Sequence, residues 1–288
     1  METKETTKKA AKPEGFNGKA IYNPKGKAGE YAPWACNFYN GCSNDCEYCY
    51  CKRGYMSHNW DDVPHLKKCF KDERKALEIF EKELHQNIEA LRKESIFFTF
   101  SSDPLLPEVK NTYYAAAACA LSNGVPVQFL TKRADFVDDH FVNKNKFFKK
   151  FIAFGFTLTG HDYKEPGAST NQRRIQAMRF LHDRGFKTFA SIEPIISIDS
   201  SERMIQETLG FCDLYKIGLM SGVKRDYYKD IELKNLIWRL ADYQNTYGIK
   251  LYIKQSIRDR LGDCQEINDI SVNSDYDIFH DVIGRGKL

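Results

Sequence analysis

Between residues 96 and 254 the chain alternates short apolar runs, rich in β-branched and aromatic side chains, with longer stretches whose apolar residues recur every three or four positions. The short runs read as buried strands and the longer stretches as amphipathic helices, so the rhythm is one of βα units. The predicted strands are 96–101 (IFFTFS), 127–131 (VQFLT), 152–159 (IAFGFTLT), 188–193 (TFASIE), 214–218 and 251–254. Helices are predicted between them at 112–122, 135–150, 170–184, 201–209 and 233–247. Upstream, Leu77, Phe80, Leu84, Ile88 and Leu91 mark one apolar face of a long helix over 72–93, which follows a first strand at 35–39. Six or seven strands, each followed by a helix, predict an α/β fold with a parallel sheet and right-handed crossovers.

The polar residues choose between the two architectures such a pattern allows. Several strands finish on small or charged side chains: Ser101, Ser102 and Asp103; Thr131 and Lys132; Thr157 and Thr159; Ser191 and Glu193; Lys216; Lys254 and Gln255. In a βα barrel these ends converge on one mouth, so a partial (β/α)6-type TIM barrel is preferred over an open doubly wound sheet. The chain shows no internal repeat and no interdomain linker. The expected organisation is a disordered lead-in over 1–20, a barrel domain over 21–262 and a C-terminal extension over 263–288.

Composition changes this picture little. A chain of 288 residues, 42% hydrophobic and 28% charged, is that of a globular protein with a substantial core. Forty-three Lys and Arg against 39 Asp and Glu leave a net charge of +4, too mild a bias to identify a polyanionic partner. The N-terminal METKETTKKAAKPEG has no apolar core, and no run of about 18 apolar residues occurs, so neither a secretory signal nor a membrane span is expected. A cytoplasmic location and a reducing environment follow as expectations. The odd number of cysteines, nine, then points to metal binding or catalysis rather than disulfides.

Four of those cysteines fall in GCSNDCEYCYCKRG, residues 41–54, at the end of the first predicted strand. Cys42, Cys46 and Cys49 stand at C-x3-C-x2-C with Tyr48 just before the third. Structural zinc asks for four closed ligands. Cys51 lies two residues from Cys49, Cys36 is six residues before Cys42, and His58 and His65 are the remaining candidates for a fourth. Three thiolates on a short loop also suit a four-iron four-sulfur (4Fe-4S) cluster with one iron left open to a ligand.

C-x3-C-x-aromatic-C after a first strand, followed by repeated βα units, resembles the radical S-adenosylmethionine superfamily. NFYNGCSNDCEYCYCKR, FFTFSSDPLLPE, FLTKR, TLTGHDYKEPGAS, QRRIQAMRFLHDRGFKTFASIEPII and LYIKQSIRDRLG occur in the order found in its branch similar to spore photoproduct lyase, and the likeness spans 23–261. The resemblance implies a 4Fe-4S cluster held by Cys42, Cys46 and Cys49, with S-adenosyl-L-methionine on the open iron. Reductive cleavage would give methionine and a 5′-deoxyadenosyl radical that takes hydrogen from a substrate. It implies further that Tyr48 lies against adenine and that Ser102 and Asp103 bind the methionine ammonium. Lys132 would meet the methionine carboxylate, while Thr157, Thr159, Ser191 and Glu193 line the ribose and substrate cavity. Glu193, if buried, needs a partner such as Lys216 or Lys254. A low-potential ferredoxin or flavodoxin is the implied electron donor.

One departure bears on the reaction. The similar lyases carry a hydrogen-donating cysteine where this chain has Phe100, and phenylalanine cannot donate. Tyr50 matches a lyase tyrosine and is the candidate catalytic residue, with Cys51 and Cys264 as other hydrogen sources. A DNA photoproduct (thymine lesion) lyase and a nonenzymatic zinc or iron-sulfur binding module are the alternative readings, with nucleic acid left open as substrate. The EPGA stretch from Glu165 is expected to shape the mouth, Arg173 and Arg174 to be helix surface, and the basic, aromatic run at 144–151 to be the solvated face of a helix.

Overall fold

The chain folds around an eight-stranded sheet in a computed structural model that describes residues 15–262 and 264–282. In chain order the strands are β1 (Ile21–Tyr22), β2 (Ala35–Cys36), β3 (Tyr39–Asn40), β4 (His65–Leu66), β5 (Ile96–Phe98), β6 (Val127–Thr131), β7 (Ile152–Thr157), β8 (Lys187–Ile195), β9 (Leu214–Leu219) and β10 (Leu251–Ile253). The helices are α1 (Glu73–Gln86), α2 (Ile88–Lys93), α3 (Lys110–Ser122), α4 (Asp139–Lys144), α5 (Asn171–Asp183), α6 (Ile198–Gln206), α7 (Asp230–Tyr247), α8 (Gln255–Leu261) and α9 (Gln265–Ile270). The sheet runs in the order β1-β2-β5-β6-β7-β8-β9-β10, and β3 pairs with β4 in a separate ribbon. From β2 to β10 neighbours are parallel, with β1 antiparallel at one edge. The expected parallel α/β fold is therefore present, as an incomplete barrel whose edge strands β1 and β10 do not meet.

Strand residues sort by parity into two cores. Phe98, Phe129, Phe154, Ile192 and Ile217 point outward to the helices, while Phe97, Ala153, Phe189, Leu214 and Tyr252 fill the lumen. Burial on both faces explains why the strands read as continuous apolar runs. Lumen-facing positions change character along each strand: Phe189 gives way to Ser191 and Glu193, Leu214 to Lys216, Tyr252 to Lys254. Thr157, Ser191, Lys216 and Tyr252 lie in register across four strands. A register shift between Ile192 and Ile195 then releases β8 from its neighbour around Glu193.

Three helices end at asparagines. Asn87, Asn123 and Asn145 each donate through Nδ2 to the carbonyl four residues back at 2.9 Å, satisfying an acceptor that the helix leaves open. Asn87 accordingly divides the predicted 72–93 helix into α1 and α2. The predicted 135–150 helix shrinks to α4, started by Asp138 accepting from Phe141 N–H at 2.7 Å, with a single 3-10 turn at Lys149–Phe151.

Both expected boundaries need correction where the chain is described. Residues 15–20, assigned to the lead-in, are anchored: the Glu83 carboxylate on α1 accepts from the N–H groups of Lys19, Ala20 and Ile21 at 2.7, 3.0 and 2.8 Å. A Cβ on Gly18 would stand 2.5 Å from Glu83 Cδ, so only glycine lets the backbone approach. Residues 1–14 of the lead-in lie outside the described residues, as do 263 and 283–288 of the extension. The rest of the extension belongs to the barrel, since Val272 N–H bonds Leu251 O at 2.7 Å and Ile278 and Phe279 are buried with the lumen residues. Among the described residues no helix is long and apolar enough to cross a membrane.

Candidate active site

The cysteine loop leaves β3 through Gly41, whose φ of +90° and whose 2.6 Å from a built Cβ to Val63 O both exclude other residues. Cys42 N–H bonds Asp61 O at 3.0 Å, and Cys49 N–H turns back to Cys46 O at 3.2 Å. A second loop, after β7, backs the first: Gly167 N–H donates to Asn44 O at 3.1 Å and Glu47 N–H to Lys164 O at 3.0 Å. Behind both, Tyr48 donates its phenol to Glu165, and Glu165 in turn pairs with Arg174. Arg174, expected on a helix surface, is 0% exposed and also donates to Thr157 O and Ser169 O at 2.5 and 2.8 Å. A buried guanidinium needs such full pairing, and the pair fixes Tyr48 from behind.

In front of the loop lies a cavity of about 420 Å³ at the C-terminal ends of the parallel strands. Cys42, Cys46, Cys49, Tyr48, Tyr50, Ser102, Asp103, Lys132, Thr157, Ser191 and Glu193 all line it, so the structure brings together every expected site residue but one. Thr159 is buried outside that lining, where its N–H donates to Asn171 Oδ1 at 2.9 Å and its hydroxyl accepts from His161 N–H at 3.3 Å. It shapes the turn after β7.

Asp103 lines the cavity with its carboxylate already engaged. It accepts from Asn44 Nδ2, Thr131 Oγ1 and Lys132 N–H at 2.7 Å each, and from Leu105 N–H at 3.0 Å. Those bonds tie the cysteine loop to the ends of β5 and β6. The free polar capacity is elsewhere: Ser102 Oγ and Asn44 Oδ1 are buried without a hydrogen-bond partner among the described residues. Buried polar atoms are normally paired, so these two mark places where a ligand would bond. The Lys132 ammonium lies 5.6 Å from the Tyr48 ring centre. Burial works against its charge, but the neighbouring Cys46 and Glu165 more than offset this and raise its pKa above the ordinary lysine value.

The opposite wall is a network of charges in the lumen. Glu193 Oε2 accepts from Tyr31 Oη at 2.7 Å and from Lys254 Nζ at 2.6 Å, and Tyr31 Oη also meets Ser191 Oγ at 2.7 Å. Of the two lysines expected to partner Glu193, Lys254 does so. Lys216 donates instead to the carbonyls of Glu30 and Tyr31 at 3.1 and 2.7 Å. A Cβ on Gly218 would lie 2.8 Å from Glu193 Oε1 and 2.9 Å from Lys254 Cδ, so this glycine makes room for the pair. Tyr31, Glu30, Asn44, Glu165 and Arg174 escaped the sequence reading as interacting residues. Tyr31, Glu30 and Asn44 acquire their roles from partners distant in the chain, and nothing in the spacing of Glu165 and Arg174 marks them as a pair.

The donor set decides what the loop could hold. All three loop thiols are unpaired and border one cavity. Among the described residues no three His, Cys, Asp or Glu side chains converge as a single metal ion would need. Of the other fourth ligands considered, Cys36 is buried in the helix-facing core and His58 and His65 are exposed outside the cavity lining. Cys51 lines the cavity but directs its sulfur to Phe100 O at 3.6 Å. An iron-sulfur cubane takes one thiolate per iron and needs no such convergence, so three soft sulfur donors on one loop fit it. A hydrogen bond from Cys51 lowers the pKa of the Cys49 thiol, whereas burial pushes Cys42 up to about 12.

Comparison with known proteins agrees with this donor chemistry. The sequence profile of the radical SAM superfamily matches residues 36–212. An uncharacterized protein of Methanocaldococcus jannaschii is 27% identical over 240 residues, which cover 78% of this chain and 85% of that one. A variant of spore photoproduct lyase superposes with a TM-score of 0.57 at 14% identity, covering 77% of this chain and 76% of the other. Another lyase variant, solved with bound AdoMet and dinucleoside spore photoproduct, gives 0.55 at 14% identity over the same shares. At such identity the likeness is one of fold.

Proposed function

Because the chain belongs to the radical SAM superfamily, we propose that it is an enzyme that cleaves S-adenosylmethionine reductively at a 4Fe-4S cluster and abstracts hydrogen from a substrate. The bound cluster and sulfonium supply the homolysis that yields methionine and a 5′-deoxyadenosyl radical, and the protein supplies position and shielding. Cys42, Cys46 and Cys49 hold the cluster. Lys132 offers an ammonium to the methionine carboxylate, and Ser102 Oγ and Asn44 Oδ1 offer unspent polar capacity to its ammonium end. Asp103, with its lone pairs engaged, acts through Asn44 by fixing the loop. Thr157 and Ser191 present hydroxyls to the ribose, and Tyr48 a ring to the adenine. A low-potential ferredoxin or flavodoxin serves as electron donor.

One observation carries this reading: three unpaired loop thiols, an unpartnered Ser102 hydroxyl and the Lys132 ammonium share one cavity. Anaerobic reconstitution with iron and sulfide should give a reducible cluster and dithionite-dependent 5′-deoxyadenosine. Replacing any of Cys42, Cys46 or Cys49 with Ala should abolish both while circular dichroism stays unchanged. A reconstituted protein that forms neither cluster nor deoxyadenosine would refute the proposal. Adding irradiated DNA to the same assay tests lesion repair, and no recovery of thymine is expected, because Phe100 lines the cavity where the similar lyases have their hydrogen-donating cysteine.

A further inference from the structure

We propose that Tyr31 is the hydrogen-atom donor of this cavity, quenching a carbon radical formed within it. The inference rests on the function proposed above. A carbon radical enclosed by protein takes hydrogen from the weakest accessible X–H bonds, which belong to thiols and phenols rather than to serine or threonine hydroxyls. Three of the cavity's thiols are committed to the cluster, and Cys51 points to the Phe100 carbonyl beside them.

The phenols separate by what they are bonded to. Tyr22 accepts from Asn37 Nδ2 at 2.8 Å and has no carboxylate partner among the described residues. Tyr50 is 52% exposed and bonds the carbonyl of Phe100. Tyr48 donates to Glu165, but that carboxylate is locked by Arg174, a group that does not release a proton. Tyr31 is 9% exposed, lines the cavity between Phe97 and Phe100, and donates to a carboxylate oxygen that also receives Lys254. Lysine, unlike arginine, exchanges its proton readily in a buried site.

The step balances within this set. The Tyr31 O–H bond breaks homolytically, its hydrogen atom forms a C–H bond on the radical, and a phenoxyl is left. One electron from the low-potential reductant that serves the cluster, with one proton passed from Lys254 through Glu193, restores the phenol. Lys254 borders the cavity and recovers its proton there. The Lys254 amine lies 4.3 Å from the Tyr31 ring centre, and cationic charge there opposes any positive charge on the ring. Hydrogen therefore leaves together with its electron. Burial and the Glu193 charge both raise the Tyr31 pKa, which keeps the phenol protonated.

No substrate is needed for the test, because S-adenosylmethionine itself provides the radical. Reconstituted full-length enzyme in D2O, given S-adenosylmethionine and dithionite alone, should release mainly singly deuterated 5′-deoxyadenosine, with the label drawn from Tyr31 O–D. Tyr31→Phe should lower the labelled fraction at least threefold while the cluster spectrum and S-adenosylmethionine binding persist. An unchanged labelled fraction in that variant overturns the assignment alone, whereas no deoxyadenosine from wild type overturns the proposed function and this inference with it. Should Tyr31→Phe fail to hold the cluster, Glu193→Gln decides: slowed resetting should let a phenoxyl signal accumulate in freeze-quenched EPR spectra, and its absence overturns the proposal.

Discussion

Lys216 lies under the cavity with its ammonium on two backbone carbonyls, and burial followed by the nearby Lys254 charge lowers its pKa to about 7 despite Glu30 and Glu193. In an unfolded chain lysine keeps its proton to about 10.4. Between those values the unfolded state binds more protons than the folded one, so this residue makes stability rise with pH from about 7 towards about 10. The urea midpoint of wild type should therefore climb relative to that of Lys216→Met between pH 7 and 9, and parallel midpoints would show that the lysine titrates normally. Asp103 and Arg174 show the limit of reading single residues from sequence. An aspartate at a strand end is a natural partner for an ammonium and an arginine in a helix is usually solvated, but here four hydrogen-bond donors occupy the first and a buried carboxylate holds the second.

Elements are positioned by single close approaches. Gly167 brings the loop after β7 onto the cysteine loop, and a Cβ there would stand 2.0 Å from the backbone oxygen of Ser43. Gly167→Ala should displace the cysteine loop and lower iron retained after reconstitution several-fold, with helix content unchanged; full retention would show that the two loops adjust independently. On the far side, Glu83 of α1 accepts from three N–H groups of the incoming chain. Glu83→Ala leaves buried donors unsatisfied and should destabilise the fold by about 1–3 kcal/mol in urea unfolding. The strand at 127–131 was legible to the residue because Val127 and Phe129 alternate into the buried core, as was the start of α5 within a residue. Helix ends at Asn87 and Asn145 were not, since an asparagine that stops a helix and one that continues it look alike until the side-chain amide finds its carbonyl.

For the molecule as a whole, closure of the lumen depends on the far end of the described chain. Phe279 is fully buried there among Phe97, Ala153, Phe189 and Leu214, so Phe279→Ala should cost about 3–5 kcal/mol of stability. A loss below about 1 kcal/mol, within the range of surface substitutions, would mean that the extension is dispensable to the barrel. The sequence alone determined the βα rhythm, the parallel sheet and the cysteine loop, because periodicity and short spacings are local properties that survive in a linear string. Only the tertiary structure decided which polar side chains keep unpaired atoms at the cavity and which bond each other. Tyr31 meets Glu193 across 162 residues and Tyr48 meets Glu165 across 117. Such pairs exist only once the strands lie side by side, and the pairing of buried polar groups follows from that arrangement.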